Sequence, residues 1–217
     1  GVQTCALPIY TLTIYTDTLN TLGLITTTGD QNFNSCGGTI DLCGVYNTGG
    51  ADFIVNGDAE IICDTVINAG SGDIRFDGTV DGAFALTANS TGSTVFALAV
   101  GSVEPLASIT TNAGGTLSMR AVTTVGEQNY GDSAITVRGV YTATNADINF
   151  GGPVTLGANT TISNGTGGAV FGSSVDGAFA LLVNSRGTSS IAGNAGSVAP
   201  LASLERSEEH TSELQSP

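Results

Sequence analysis

The segment VDGAFAL at 80–86 occurs again, unchanged, at 175–181. The same offset of 95 residues carries GVY at 44–46 to 139–141 and Ala51-Asp52 to Ala146-Asp147. It also carries NS at 89–90 to 184–185, GSV at 101–103 to 196–198 and PLAS at 105–108 to 200–203. An internal copy this long, held without a gap, constrains the fold more than any single residue can. A chain of this kind is an array, and arrays build scaffolds and extended surfaces more readily than one catalytic pocket.

A shorter period lies inside the long one. Phe150 and Phe171, Val154 and Val175, Ile162 and Val183, and Val183 and Leu204 are each 21 apart. GDQNF at 29–33 and GEQNY at 126–130 mark matching points of the two long repeats, here 97 apart. Strand signals fill the chain: short alternating runs bounded by Gly, Asn and Asp. Ile74 and Phe76 share one side, as do Val80, Phe84, Leu86 and Ala88, and again Val175, Phe179, Leu181 and Val183. All of these are expected to face inward. A unit of roughly 20 residues holding two or three short strands is one coil of a parallel β-helix. Four or five coils per long repeat and about nine in the chain, at ~4.8 Å each, predict a rod near 40 Å long. Because 95 is not a multiple of 21, coil lengths are expected to vary. An antiparallel sandwich would share the alternation but would not require Phe and Val to recur at one-coil spacing.

The chain has 19 acidic residues against five arginines and no lysine, a net charge of −14. Few and scattered cations cannot form a phosphate-tracking groove, which excludes nucleic acid as a partner. Anionic membrane surfaces would repel the chain. No run of 18 apolar residues is present, so no membrane-spanning helix is predicted.

The two ends differ in character from the repeats. RSEEHTSELQS at 206–216 resembles a translated short-read sequencing adapter, and GVQTCALPI at 1–9 resembles the translation of its reverse complement. The resemblance implies that 1–9 and 206–217 are adapter-derived and that 10–205 is a repeat segment from a larger gene. On that reading super-repeats run over about 29–125 and 126–205, the second truncated. Cys5, His210 and the charged window from Arg206 to Glu213 then fall outside the fold argument. Cut coils without caps expose pairing edges, so the segment alone is expected to fray or aggregate. Cys36, Cys43 and Cys63 remain. Cys43 and Cys63 stand about one coil apart and could stack or pair; the reading preferred is that all three are small buried apolar groups. No CxxC is present, and neither a zinc site nor any cofactor is expected.

GDIRF at 72–76, VDGAFAL, GSVEPLAS and TTNAGGTL at 110–117 are similar to repeats of filamentous haemagglutinin-like exoproteins and adhesins of Gram-negative bacteria. The same pattern returns in Asp147-Ile148-Asn149-Phe150, Val175-Asp176-Gly177, Val183-Asn184 and Pro200-Leu201-Ala202-Ser203-Leu204. The resemblance covers most of 29–205. It implies a right-handed parallel β-helix, secretion to the outer bacterial surface, and adhesion to glycans or proteins of host or neighbouring cells.

Candidate sites are few. Asp73, Asp77 and Asp81 recur every four residues between glycines and are weak calcium candidates; the tandem GGxGxDxUx pattern is missing, and solvated turn aspartates are the preferred reading. Asn89, Asn159 and Asn164 head Asn-x-Ser/Thr sequons, candidates for glycosylation. The Thr-rich start TLTIYTDTL at 11–19, with Thr26-Thr27-Thr28, would suit water ordering only if it repeated in every coil, and it does not. Parallel β-helices also host polysaccharide lyases and glycosidases, which is the competing function. Paired carboxylates would be needed for hydrolysis, and Asp52, Asp73 and Asp147 are available, but repeated positions argue against one unique catalytic site. The expectation is a non-catalytic stalk or adhesive segment.

Overall fold

Alternating side chains of a strand point to opposite sides of the backbone. Here one of those sides is consistently buried, as in Phe53–Asn56, Ile74–Phe76, Ile148–Phe150 and Ala169–Phe171. The computed structural model describes residues 10–16, 19–112 and 114–207. Among these, 22 strands pair entirely in parallel, grouped by connectivity into a 12-stranded and a 10-stranded sheet. Four long strands (Ile40–Asn47, Ala59–Gly70, Ala134–Ala143 and Val154–Ser163) bend round a corner and serve two ladders each. Followed residue by residue, the ladders resolve into three faces of a parallel β-solenoid.

The first face stacks Gln31, Phe53, Ile74, Thr94, Leu117, Ile135, Val154 and Val175 on successive coils. Ile40, Ala59, Val80, Val100, Val122, Tyr141, Ile162 and Val183 stack on the second. The third carries Tyr46, Ile67, Ala88, Thr111, Tyr130, Phe150, Phe171 and Ile191. Coil length is uneven: on the first face the coil from Thr94 to Leu117 is the longest and the next, from Leu117 to Ile135, the shortest. The core fills the rod between the faces. Its aromatic rings stack along the axis, with centroids 5.3 Å apart for Phe76 and Phe96 and 4.9 Å for Phe150 and Phe171.

The long repeat does not contain a whole number of coils. Four coils carry Ile40 to Val122 on the second face, and the chain then passes the third face and reaches Ile135 on the first. Ile135 is the copy of Ile40, one super-repeat on. One super-repeat is therefore four and two-thirds coils, and every copied residue lands one face away. Tyr46 on the third face becomes Tyr141 on the second; Val80 on the second becomes Val175 on the first; Phe33 on the first becomes Tyr130 on the third. Coil lengths do vary, as the sequence predicts, but not so as to restore the face.

Two expectations about inward residues need correction. Phe84 and Phe179 are 41% and 38% exposed, although their parity with Val80 and Val175 places them inside. The strand ends one residue after each valine because Gly82 and Gly177 take φ of +125° and +127°. Those glycines turn the chain outward, and parity restarts beyond the corner. They also touch the coil below: a Cβ on Gly82 would sit 2.3 Å from the Ile61 carbonyl oxygen. Leu204 is also not the next step after Val183. It pairs with Leu181 and is 49% exposed, while Val183 pairs with Arg206. The last strand, Ser203–Ser207, runs past the sequence-based boundary at 205. The adapter-like residues 1–9 and 208–216, with Cys5 and His210, lie outside the described residues.

Polar side chains bind coil to coil. Asp81 Oδ1 accepts from the Val103 amide at 2.7 Å, and its copy Asp176 accepts from Val198 at 2.7 Å. The VDG and GSV motifs are thus two halves of one contact, a carboxylate capping a turn of the next coil. The Val198 amide holds the Asp176 carboxyl below its usual range. Asn47, Asn68 and Asn89 form an amide ladder, in which Asn68 Nδ2 donates to Asn47 Oδ1 at 2.8 Å and Asn89 Nδ2 to Asn68 Oδ1 at 2.9 Å.

Candidate functional site

One corner construction is built in both super-repeats, and its surface chemistry differs sharply between the copies. It begins where the ladder register shifts, between Leu42 and Gly44 in the first copy and between Val137 and Gly139 in the second. The residue skipped is Cys43 or Arg138. Its amide donates to a tyrosine hydroxyl, Cys43 to Tyr46 at 3.1 Å and Arg138 to Tyr141 at 3.3 Å. One coil on, a buried threonine returns to the corner: Thr65 Oγ1 donates to the Cys63 carbonyl at 2.9 Å, and Thr160 Oγ1 to that of Ala158 at 3.1 Å. The following side chain accepts an amide of the third coil, Asp64 from Ala85 and Asn159 from Ala180, both at 3.1 Å. Phe84 and Phe179 then project at the edge.

Into this common frame the two copies place different side chains. The first holds a disulfide between Cys43 and Cys63, whose Cα atoms are 4.8 Å apart, the spacing of neighbouring coils. This corrects the expectation of buried apolar thiols: both cysteines are half-buried and bonded, and Cys36 is exposed with a free thiol. The pairing follows from the bend, which turns two stacked residues outward and one above the other.

The second copy holds Arg138 beneath Ala158. Arg138 Nη1 donates to Ser118 Oγ at 3.0 Å. Its guanidinium lies against Gly157, where a Cβ would come within 2.7 Å of Nε. Arg120, exposed on the coil below, lines the same groove, together with Leu98, Asn159 and Phe179. The groove is open, measures about 630 Å³, and has no carboxylate among its lining residues. Among the described residues no carboxylate pairs with Arg120 or Arg138; the ion pair of the rod's side is Arg75 with Asp77, at 2.6 Å.

The sequence-predicted sites are dispersed. Asp73 Oδ1 accepts from Ser93 N at 2.7 Å, Asp77 faces Arg75, and Asp81 caps the Val103 turn. Among the described residues no three His, Cys, Asp or Glu side chains converge on a metal position. Asp52 accepts from Asp73 N at 2.8 Å and Asp147 from Gly168 N at 2.7 Å, so with Asp73 all three carboxylates considered for hydrolysis serve the backbone of the next coil. Asn164 is fully buried and donates to Gly168 O at 2.7 Å, and the folded chain does not present it to solvent. Asn89 is committed to its amide ladder, which leaves Asn159 as the exposed member of the three sequons. Outward Thr13 is followed by Asn32, Ile54 and Arg75 on the next coils, so no threonine array forms there.

The sequence alone does not bring the arginine pair together, because Arg120 and Arg138 are closer along the chain than one average coil. A signal is present in GVY: aligning its two copies sets Arg138 against Cys43. Nor does the sequence single out Asp132, which is fully buried with Oδ2 accepting from Thr111 and Oδ1 without a partner. Burial raises its pKa to about 6.

Fold and corner together define the class: an all-β parallel solenoid with a period of roughly 21 residues. No protein-family model, curated protein or solved structure matches the chain.

Proposed function

We propose that the chain is a non-catalytic stalk and adhesive segment of a large secreted bacterial surface protein of the filamentous haemagglutinin-like kind. Its partners would be glycans or proteins on host or neighbouring cells. The observation that carries this reading is the employment of the acidic side chains. Asp30, Asp52, Asp58, Asp64, Asp73, Asp81, Asp147 and Asp176 each accept a backbone amide of the following coil. Carboxylates used as rungs are poorly placed to act as acid or base on a substrate, since taking up a proton would weaken the charge-assisted bond each rung accepts. A solenoid suits adhesion physically: each coil contacts only its neighbours, so length is added without redesign, and many weak contacts can sum along the rod.

The test pairs two measurements on the full chain. Retention on bacterial and host-cell surfaces or on a glycan array is expected, with no new reducing ends released from the polysaccharides offered. Release of reducing ends, or of unsaturated sugar products, would overturn this reading in favour of the lyase or glycosidase.

A further inference from the structure

We infer that the arginine corner of the second super-repeat is a binding site for a saccharide bearing a single carboxylate. This rests on the adhesive reading and gives it a ligand class. Arg120 and Arg138 would meet the carboxylate, while Phe179 and Leu98 would lie against the apolar face of the sugar ring.

Charge points there first. The chain has five arginines and a net charge of −14, yet two of those arginines line one groove that holds no acid. An arginine offers five N–H donors in a planar fork matched to a carboxylate. Ser118 Oγ takes one donor of Arg138, and the bare Gly157 lets its guanidinium lie down on the rod. The side chain is therefore placed before any ligand arrives, with donors still to offer.

The first super-repeat shows what has been altered. Its corner has the same frame and the same phenylalanine, but a disulfide replaces the arginine and Asp64 stands where the second copy has Asn159. Both side chains accept the next coil's amide at 3.1 Å. Asparagine thus keeps the structural hydrogen bond and removes the one carboxylate that would neutralise Arg138. Phe179 and Leu98 stay 38% and 45% exposed beside the cations.

Two other partners fit less well. A peptide recognised by strand addition needs an unpaired edge, and the ladder bonds here run coil to coil, along the rod, so its sides present none. A polyanion would meet repulsion from the acidic rod on either side of the corner.

A glycan array carrying glucuronate-, galacturonate- and sialate-terminated saccharides beside their neutral counterparts tests this on the full chain. The carboxylated members are expected to be retained and the neutral ones not. R120Q/R138Q is expected to weaken that retention roughly tenfold or more, the scale of a lost charge-assisted hydrogen bond. N159D is expected to weaken it similarly while folding normally, since Asp64 already fills that position in the other copy. Equal retention of neutral and carboxylated sugars, or retention indifferent to both variants, would overturn the assignment. If carboxylated sugars are not bound while cell-surface retention persists, the corner assignment fails and the adhesive reading stands; loss of all retention by the unaltered chain removes both.

Discussion

If one super-repeat is the other turned by a third of the axis, a staple that closes in the first must close in the second. The variant R138C/A158C tests this directly. Its two positions are 20 residues apart, as Cys43 and Cys63 are, and sit on the same bulge, tyrosine and threonine contacts. Closing a ring of about 20 residues removes roughly 3 kcal/mol of denatured-state freedom. Losing the Arg138 bond to Ser118 costs about 1 kcal/mol. The net gain is about 2 kcal/mol, or about 1 M in urea midpoint for a slope near 2 kcal/mol/M. Mass spectrometry of unreduced peptides would show the 138–158 crosslink, and urea unfolding with and without reductant would measure its worth against that of the native pair. Two free thiols in the variant, under conditions that keep Cys43 and Cys63 bonded, would refute the rotation of the corner from one face to the next.

Gln31 and Gln128 occupy matching buried positions, but Gln128 Oε1 accepts from the Tyr130 hydroxyl at 3.0 Å while Gln31 Oε1, beside Phe33, has no partner. Phe33→Tyr is expected to supply the missing donor and raise stability by about 1 kcal/mol in urea unfolding; a loss of stability would show that the two sites are not equivalent. Asp132 gives a pH dependence of opposite sign to that of most acids. Its folded pKa of about 6 exceeds the unfolded 3.8, so the folded state binds more protons between those values and loses stability as pH rises through that window, by up to about 3 kcal/mol. The difference in urea midpoint between Asp132→Asn and the unaltered chain should therefore change between pH 4 and 6.5; a constant difference would refute a charged, buried Asp132.

The solenoid is legible in the sequence because its two signals are properties of single coils. Phe171 over Phe150 and Val175 over Val154 keep an offset of 21, and stacked inward residues require such an offset. The corner is hidden for the opposite reason. Which residues stack at a bend depends on how many are spent turning it, and a bulge at Val137–Gly139 brings Arg138 to the groove of Arg120 despite their short separation along the chain. Phe84 defeats the alternation rule for the same cause: parity holds only to the next positive-φ glycine, and Gly82 stands between Val80 and Phe84. The disulfide needs both pieces, the coil length to bring Cys43 beneath Cys63 and the bulge to turn them together.

A super-repeat of four and two-thirds coils has a consequence for how such a rod meets a surface. Had the repeat been a whole number of coils, every copy of the corner would lie along one side, and the rod would carry a single stripe. With the two-thirds remainder, successive corners advance by roughly 22 Å and move to the adjacent face, returning to the first only after three super-repeats, about 14 coils. On the adhesive reading proposed above, a rod of these repeats would meet partners from any direction without having to orient, and neighbouring corners would not compete for one ligand. The frame of each corner is fixed by contacts that use only the backbone of the two outward residues of the bulge, not their side chains. Those residues are free to differ, and they do: Cys43 with Cys63 makes a staple, Arg138 with Ala158 makes a cationic groove. The array thus separates the part that must be copied to keep the coils stacked from the part that can be changed to alter what the rod touches.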